Sequence, residues 1–198
     1  MPLTRVQIIS QALTLLGQKP IMSLTNQSDI VTAADNSFDM LLQGTLSTGF
    51  WRFATTIIEL QQIASTPIGG YWLYAYKLPT NYLKLVHLWP HNYDYEMYEN
   101  SLMYSNFNNA FQPLFLEYIF SPVVQNFPPY FVKYFIYEIA SYLALSNAQR
   151  PDLYQVLDGK KVIELSIALC ADAQNRPQTP LQSMPMLSRR FVSTFASG

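Results

Sequence analysis

Between Gly49 and Leu60 (GFWRFATTIIEL) the chain changes its periodicity. Before this stretch apolar residues recur every three or four positions, as on a helix face. After it they come in short aromatic and β-branched runs that favour extended backbone. Gly49 follows the last helical residue and predicts a left-handed helix cap. Trp51 and Phe53 predict two large rings buried between a helical layer and a strand-bearing layer. Thr55–Ile58 is β-branched throughout and predicts the first strand. Gly49, Trp51 and Phe53 are therefore the expected fold junction.

The flanking elements follow from the same signals. Thr4 with Gln7 is a capping box, and Val6, Ile9, Leu13 and Leu16 form a helical stripe that Gly17 can close. Ser28 or Asp29 opens a second helix with the face Val31, Ala34, Phe38, Leu41, Leu42 and Thr45, running to about Thr48. Strands are predicted over Tyr71–Leu78, Tyr82–Trp89 (closed by Pro90), Tyr93–Tyr98 and Leu114–Phe120, with a loop at Asn106–Asn109. They predict a small antiparallel sheet or meander of unspecified pairing order. Pro128-Pro129 opens a third helix to about Asn147. Pro151-Asp152 opens a fourth, with Leu153, Leu157, Ile163, Ile167, Cys170 and Ala171 as its apolar stripe. Gly159 weakens that helix by about 1 kcal/mol, and Lys160-Lys161 reads as its solvated face. The expected fold is α+β, mainly α. One domain spans 1–176, helical over 1–50 and 128–176, with a β-rich lobe over 51–127. Residues 177–198, with Pro177, Pro180 and Pro185, form an extended tail that builds no core of its own.

Composition narrows the function. The chain has 198 residues, enough for one well-cored domain, yet only 13% are charged, against ~25% in ordinary globular proteins. A shell so poor in charge predicts a surface largely covered by partners or by further copies. The net charge of −1 gives no overall attraction to nucleic acid or anionic lipid. Its distribution is uneven. Leu85 to Val132 holds Asp94, Glu96, Glu99 and Glu117 but no Lys or Arg, whereas Ala173 to Gly198 holds Arg176, Arg189 and Arg190 but no acid. Within that tail Met184, Met186, Leu187 and Phe191 beside Arg189-Arg190 have the character of groove anchors. The single cysteine, Cys170, excludes an internal disulfide and is expected as a small buried hydrophobe. Met1–Arg5 lacks the profile of a secretory signal, and no apolar run reaches the ~18–20 residues of a membrane span. The expectation is a soluble protein made inside the cell, without membrane contact.

Catalytic patterns are scarce. His87 and His91 stand four apart across Pro90 in strand context, where that spacing does not align them for a metal. No Gly-rich phosphate loop, HExxH or GxSxG occurs. Asp94, Glu96, Glu99 and Glu117 are available as a glycosidase pair, but nothing in the sequence sets their separation. The tyrosine-rich middle could offer stacking platforms, but its longest aromatic stretch lacks the interleaved Lys and Arg that strand binding needs. No catalytic, cofactor or metal residue is expected.

Three stretches carry a resemblance. Ala12–Leu24 (ALTLLGQKPIMSL), Ala33–Leu42 (AADNSFDMLL) and Trp51–Ala54 (WRFA) before a β-branched strand are similar, in this order, to the tail tubular protein A family. These proteins are head-to-tail adaptors of short-tailed bacteriophages. Tyr76–Lys84 (YKLPTNYLK) resembles the family's YxLPxDxL element, with Asn81 in place of the acid, and Pro128–Arg176 stands where the family carries two long helices. The resemblance implies a structural virion protein made in the host cytoplasm and no enzyme. It implies a homo-oligomeric, dodecameric ring between the portal protein and the tail nozzle or tube protein. DNA would pass through without sequence-specific binding. It also implies a C-terminal segment that reaches the portal, here Met184, Met186, Leu187, Arg189, Arg190 and Phe191. A different reading, a tail-associated peptidoglycan hydrolase, would draw on Glu96, Glu99 and Glu117. Zymography of the protein with these changed to Gln discriminates the two.

Overall fold

The computed structural model describes residues 3–24, 28–64, 70–90, 93–98, 101–110, 112–146 and 151–175. The architecture is α+β, mainly α, with two small antiparallel sheets between an N-terminal and a C-terminal pair of helices. Helix α1 (Arg5–Leu15) begins at the expected capping box, with Gln7 Oε1 accepting from Thr4 N at 2.9 Å. It ends in a Schellman motif: Gly17 takes φ +73° and its N–H donates to Thr14, while that of Gln18 donates to Leu13. Helix α2 (Asp29–Thr48) buries the predicted Val31, Ala34, Phe38, Leu42 and Thr45, with Leu41 half-buried.

Arg5 fastens the two helices. Its guanidinium reaches Asp35 Oδ1 at 2.7 Å and both oxygens of Asp39 at 2.9–3.0 Å, and lies 4.4 Å above the Phe38 ring. The AADNSFDMLL stretch thus presents three residues of one helix face to one cation.

Helices α3 (Pro129–Ser146) and α4 (Pro151–Ala173) form an antiparallel pair, laced by Lys133–Glu164 at 2.7 Å and, more loosely, Lys161–Glu138 at 3.8 Å. Helix α4 runs through Gly159 unbroken. Lys160 is exposed as expected, whereas Lys161 is half-buried beside Asp158. Helix α3 is apolar on nearly every side because α1, α2 and α4 all pack against it. Its Phe135 meets Phe38 of α2 edge-on at 5.2 Å.

The strands are β1 (Thr55–Glu59), β2 (Gln62–Ile63), β3 (Tyr74–Lys77), β4 (Tyr82–Trp89), β5 (Tyr95–Tyr98), β6 (Leu102–Ser105) and β7 (Phe115–Phe120). They make two sheets where one was expected: β1-β7-β4 and β2-β3-β6-β5. The three-stranded sheet lies between the helices and the other sheet. Ile119 of β7 joins the helical core, while Leu116 and Tyr118 join Tyr76, Leu78 and Met103 of the second core. Strand β4 adapts to this double duty by two irregularities, between Tyr82 and Lys84 and between Leu85 and His87. The extra residues there, Leu83 and Val86, pack on the helical core.

Several expected boundaries shift. Tyr71–Leu73 lies outside β3, with Trp72 instead folded over that sheet's outer face, where its indole donates to Glu96 at 3.2 Å. Tyr93-Asp94, Leu78 and Leu114 also fall outside their strands, whereas β2 and β6 are strands that the sequence did not reveal. Both are short, four residues or fewer, and become strands through their neighbours.

Candidate functional site

The junction is built as a pinned corner. Gly49 is not left-handed: it takes φ −85° and ψ 167°, ordinary extended backbone. Its need for hydrogen in place of a side chain is steric. The Trp51 indole folds back so closely that a Cβ at Gly49 would lie 2.7 Å from Cε2 and closer still to Nε1. The fold-back lets Nε1 donate to the Thr45 carbonyl, 3.0 Å away in the last turn of α2. Trp51 is fully buried, edge-on to Phe131 at 5.0 Å and stacked near Tyr134 at 6.0 Å. Phe53 is half-buried and meets Phe131 and Phe127. Both rings therefore belong to the helical core.

Residues Arg52–Ala54 form a single 3-10 turn before β1. That turn is held by a residue the sequence did not flag. Asp172, fully buried near the end of α4, accepts from the backbone N–H groups of Arg52 and Phe53 and, at 2.7 Å, from the Tyr130 hydroxyl. Burial and the Asp172 carboxylate push the Tyr130 phenol up to about 12. A carboxylate at the start of a turn satisfies donors that have no partner within it. The only warning in the sequence was an acid in the apolar pattern of α4. Lys84 of β4 adds a further tie, donating to the Ser47 carbonyl at 3.1 Å where α2 exposes its acceptors.

The second feature is the outward side of α4. Of the expected stripe, Leu157 is buried, but Ile163 and Ile167 are 53% and 52% exposed and Cys170 is exposed too. Val156, at 61%, joins them. At 3.6 residues per turn Val156, Ile163, Ile167 and Cys170 fall within an arc of about 60°. The buried Leu157, Ala168 and Asp172 lie about 140° around the helix from it. Two apolar faces on one helix produced the single broad stripe in the sequence, and periodicity does not say which one is inside. Cys170, expected in the core, stands on the open face.

Among the described residues the candidate acids do not converge. Glu96 is exposed on β5, its carboxylate accepting from Trp72 and, at 2.6 Å, from the Tyr98 hydroxyl. Glu117 is on β7 of the other sheet, in register with His87 of β4 and Ile57 of β1. Asp94 is exposed, and its carbonyl accepts from Ser105. Glu99 and His91 lie outside the described residues, as do Met184, Met186, Leu187, Arg189, Arg190 and Phe191. Among the described residues no group of three or more His, Cys, Asp or Glu is placed to hold a metal, and no helix is long and apolar enough to cross a membrane.

The chain matches no protein-family model, and no curated protein is significantly similar to it.

Proposed function

We propose that this protein is a structural virion component, a head-to-tail adaptor. It assembles as a ring below the portal, extends the DNA channel, and receives the tail nozzle or tube protein on its other side. The observation that carries this reading is the open apolar side of α4 in a chain so poor in charge. A surface of that kind suits a molecule that works by packing against other chains. The resemblance adds the identity of those chains. Its residues serve as framework: Asp35, Phe38 and Asp39 hold Arg5, Trp51 closes the corner, and Tyr76 donates to the Phe107 carbonyl at 2.5 Å. Asn81, where the family has an acid, accepts from the Tyr118 hydroxyl at 3.1 Å, a contact an amide oxygen makes as well as a carboxylate. The basic C-terminal segment, with Met184, Met186, Leu187, Arg189, Arg190 and Phe191, is the portal-binding part of this reading.

Cryo-EM of the particle tests the assignment: density for this fold as a ring at the head–tail junction is expected, and its absence there overturns it. Deleting residues 177–198 is expected to abolish capture by the portal. Undiminished capture would remove the tail from the proposal.

A further inference from the structure

Two strand edges of the β-lobe flank one cleft. Strand β4 ends the three-stranded sheet and β5 ends the other. Leu85, His87 and Leu88 of β4, Pro90 after it, and Tyr93 and Tyr95 at the head of β5 line the cleft, whose volume is about 190 Å³. Among the described residues the outward edge of β5 faces no further strand, so its peptide groups are free to pair. On the outer face of β5 the Glu96 carboxylate is held by Trp72 and Tyr98. Yet among the described residues no Lys or Arg pairs with it. We propose that residues 190–195 of the same chain (RFVSTF) add to β5 as a further strand and cover this cleft.

Charge and pattern both select this occupant. Leu85 to Val132, which includes β5, holds acids and no base, whereas Ala173 to Gly198 holds arginines and no acid. Phe191, Val192, Thr194 and Phe195 are aromatic or β-branched, and no proline follows Pro185. With the added strand antiparallel and Arg190 across from Glu96, Phe191 comes across from Tyr95, which lines the cleft. Alternation then turns Phe191, Ser193 and Phe195 toward the cleft and Arg190 toward the outer face. There its guanidinium meets the unpaired carboxylate as a cross-strand ion pair. Arg189, just before the strand, stays in water. Main-chain bonds along an open edge with side chains seated in alternate pockets is an established mode of peptide capture.

The chain is long enough to make this contact with itself. Helix α4 ends where Asp172 holds the turn that leads into β1. Strand β4 stands two strand spacings from β1, about 10 Å, and its cleft-lining half starts a few residues along it. The cleft therefore lies within about 30 Å of the end of α4. Arg190 follows Asn175 by 15 residues, which span up to ~50 Å when extended. Of the chain outside the described residues, 176–198 is the only run longer than five residues, so it alone can supply such a strand. A tail held here is withheld from other partners. Its release to the portal rests on the adaptor reading; the docking does not.

Amide hydrogen exchange of dilute full-length protein, read by mass spectrometry, tests the docking. Residues 191–195 are expected to exchange roughly tenfold or more slowly than in a synthetic peptide of residues 186–198, and equally so after dilution of the protein. Deleting residues 177–198 is expected to speed exchange at Tyr95–Tyr98 and leave α3 unchanged. Arg190→Glu and Glu96→Lys, each placing like charges together, are each expected to remove the protection of residues 191–195. Arg190→Glu decides alone if Glu96→Lys also speeds exchange in α3. Peptide-like exchange of residues 191–195 in the full chain would overturn the docking. Protection that falls on dilution would overturn it too, by showing that a second copy supplies the strand. So would protection that survives Arg190→Glu. Portal capture without the protection overturns the docking and leaves the adaptor reading; the protection without capture does the reverse.

Discussion

Gly49 and Trp51 act as one unit. Glycine is required because the indole occupies the space a Cβ would take, and the indole sits there because its N–H finds the Thr45 carbonyl. Gly49→Ala should therefore push the ring out of place and cost about 1–3 kcal/mol, as overpacking does. Trp51→Ala should cost ~3–5 kcal/mol, the range for large core truncations. Urea denaturation monitored by circular dichroism measures both, and an unshifted midpoint for Trp51→Ala would make that ring peripheral. Asp172→Ala leaves two backbone N–H groups and the Tyr130 hydroxyl without their acceptor. At about 1–3 kcal/mol for each orphaned buried donor, a loss of roughly 3 kcal/mol or more is expected. Gly49 was legible as a glycine the fold requires, but not for the reason read: a left-handed cap and a close approach look alike in sequence.

Helices were the most legible elements, since capping residues and prolines mark their ends locally. The capping box at Thr4, the stop at Gly17, and Pro129 and Pro151 at the starts of α3 and α4 all stand where the sequence set them. Strand β4 was equally plain, with Pro90 closing it at Trp89. What the sequence did not show was how elements are joined. Arg5 carries no signal of its own, yet it binds α1 to α2 through two carboxylates and a ring. Because this cluster is partly exposed, Arg5→Ala should lower stability by only about 1–2 kcal/mol. High salt should narrow the gap between wild type and variant, and a gap that stays constant would make the role one of packing.

Across the whole molecule, buried phenols set an upper pH limit on stability. Tyr130 is raised to about 12 by burial and by Asp172, and Tyr134 is raised further by burial and the charge of Glu138. Both phenols ionise in the unfolded chain near the ordinary value of 10.0 while the folded chain still holds their protons. The unfolded state then binds fewer protons, so stability is full below that value and falls as pH climbs through the folded values. Urea midpoints taken from about pH 8 to about pH 11 should decline above about pH 10, and Tyr130→Phe should soften the decline. A flat profile would show that these phenols are not held. The sequence by itself determined the helices, the change to strands after Gly49, the α+β class and the shortage of charge, since each depends on residues close together or on simple counts. Only the tertiary structure decided that the strands form two sheets, that Asp172 pins the corner across more than a hundred residues of chain, and which side of α4 is open. The reason is physical: strand order, a buried carboxylate's partners and the inward face of a doubly apolar helix are set by what packs beside them, and local periodicity is blind to that.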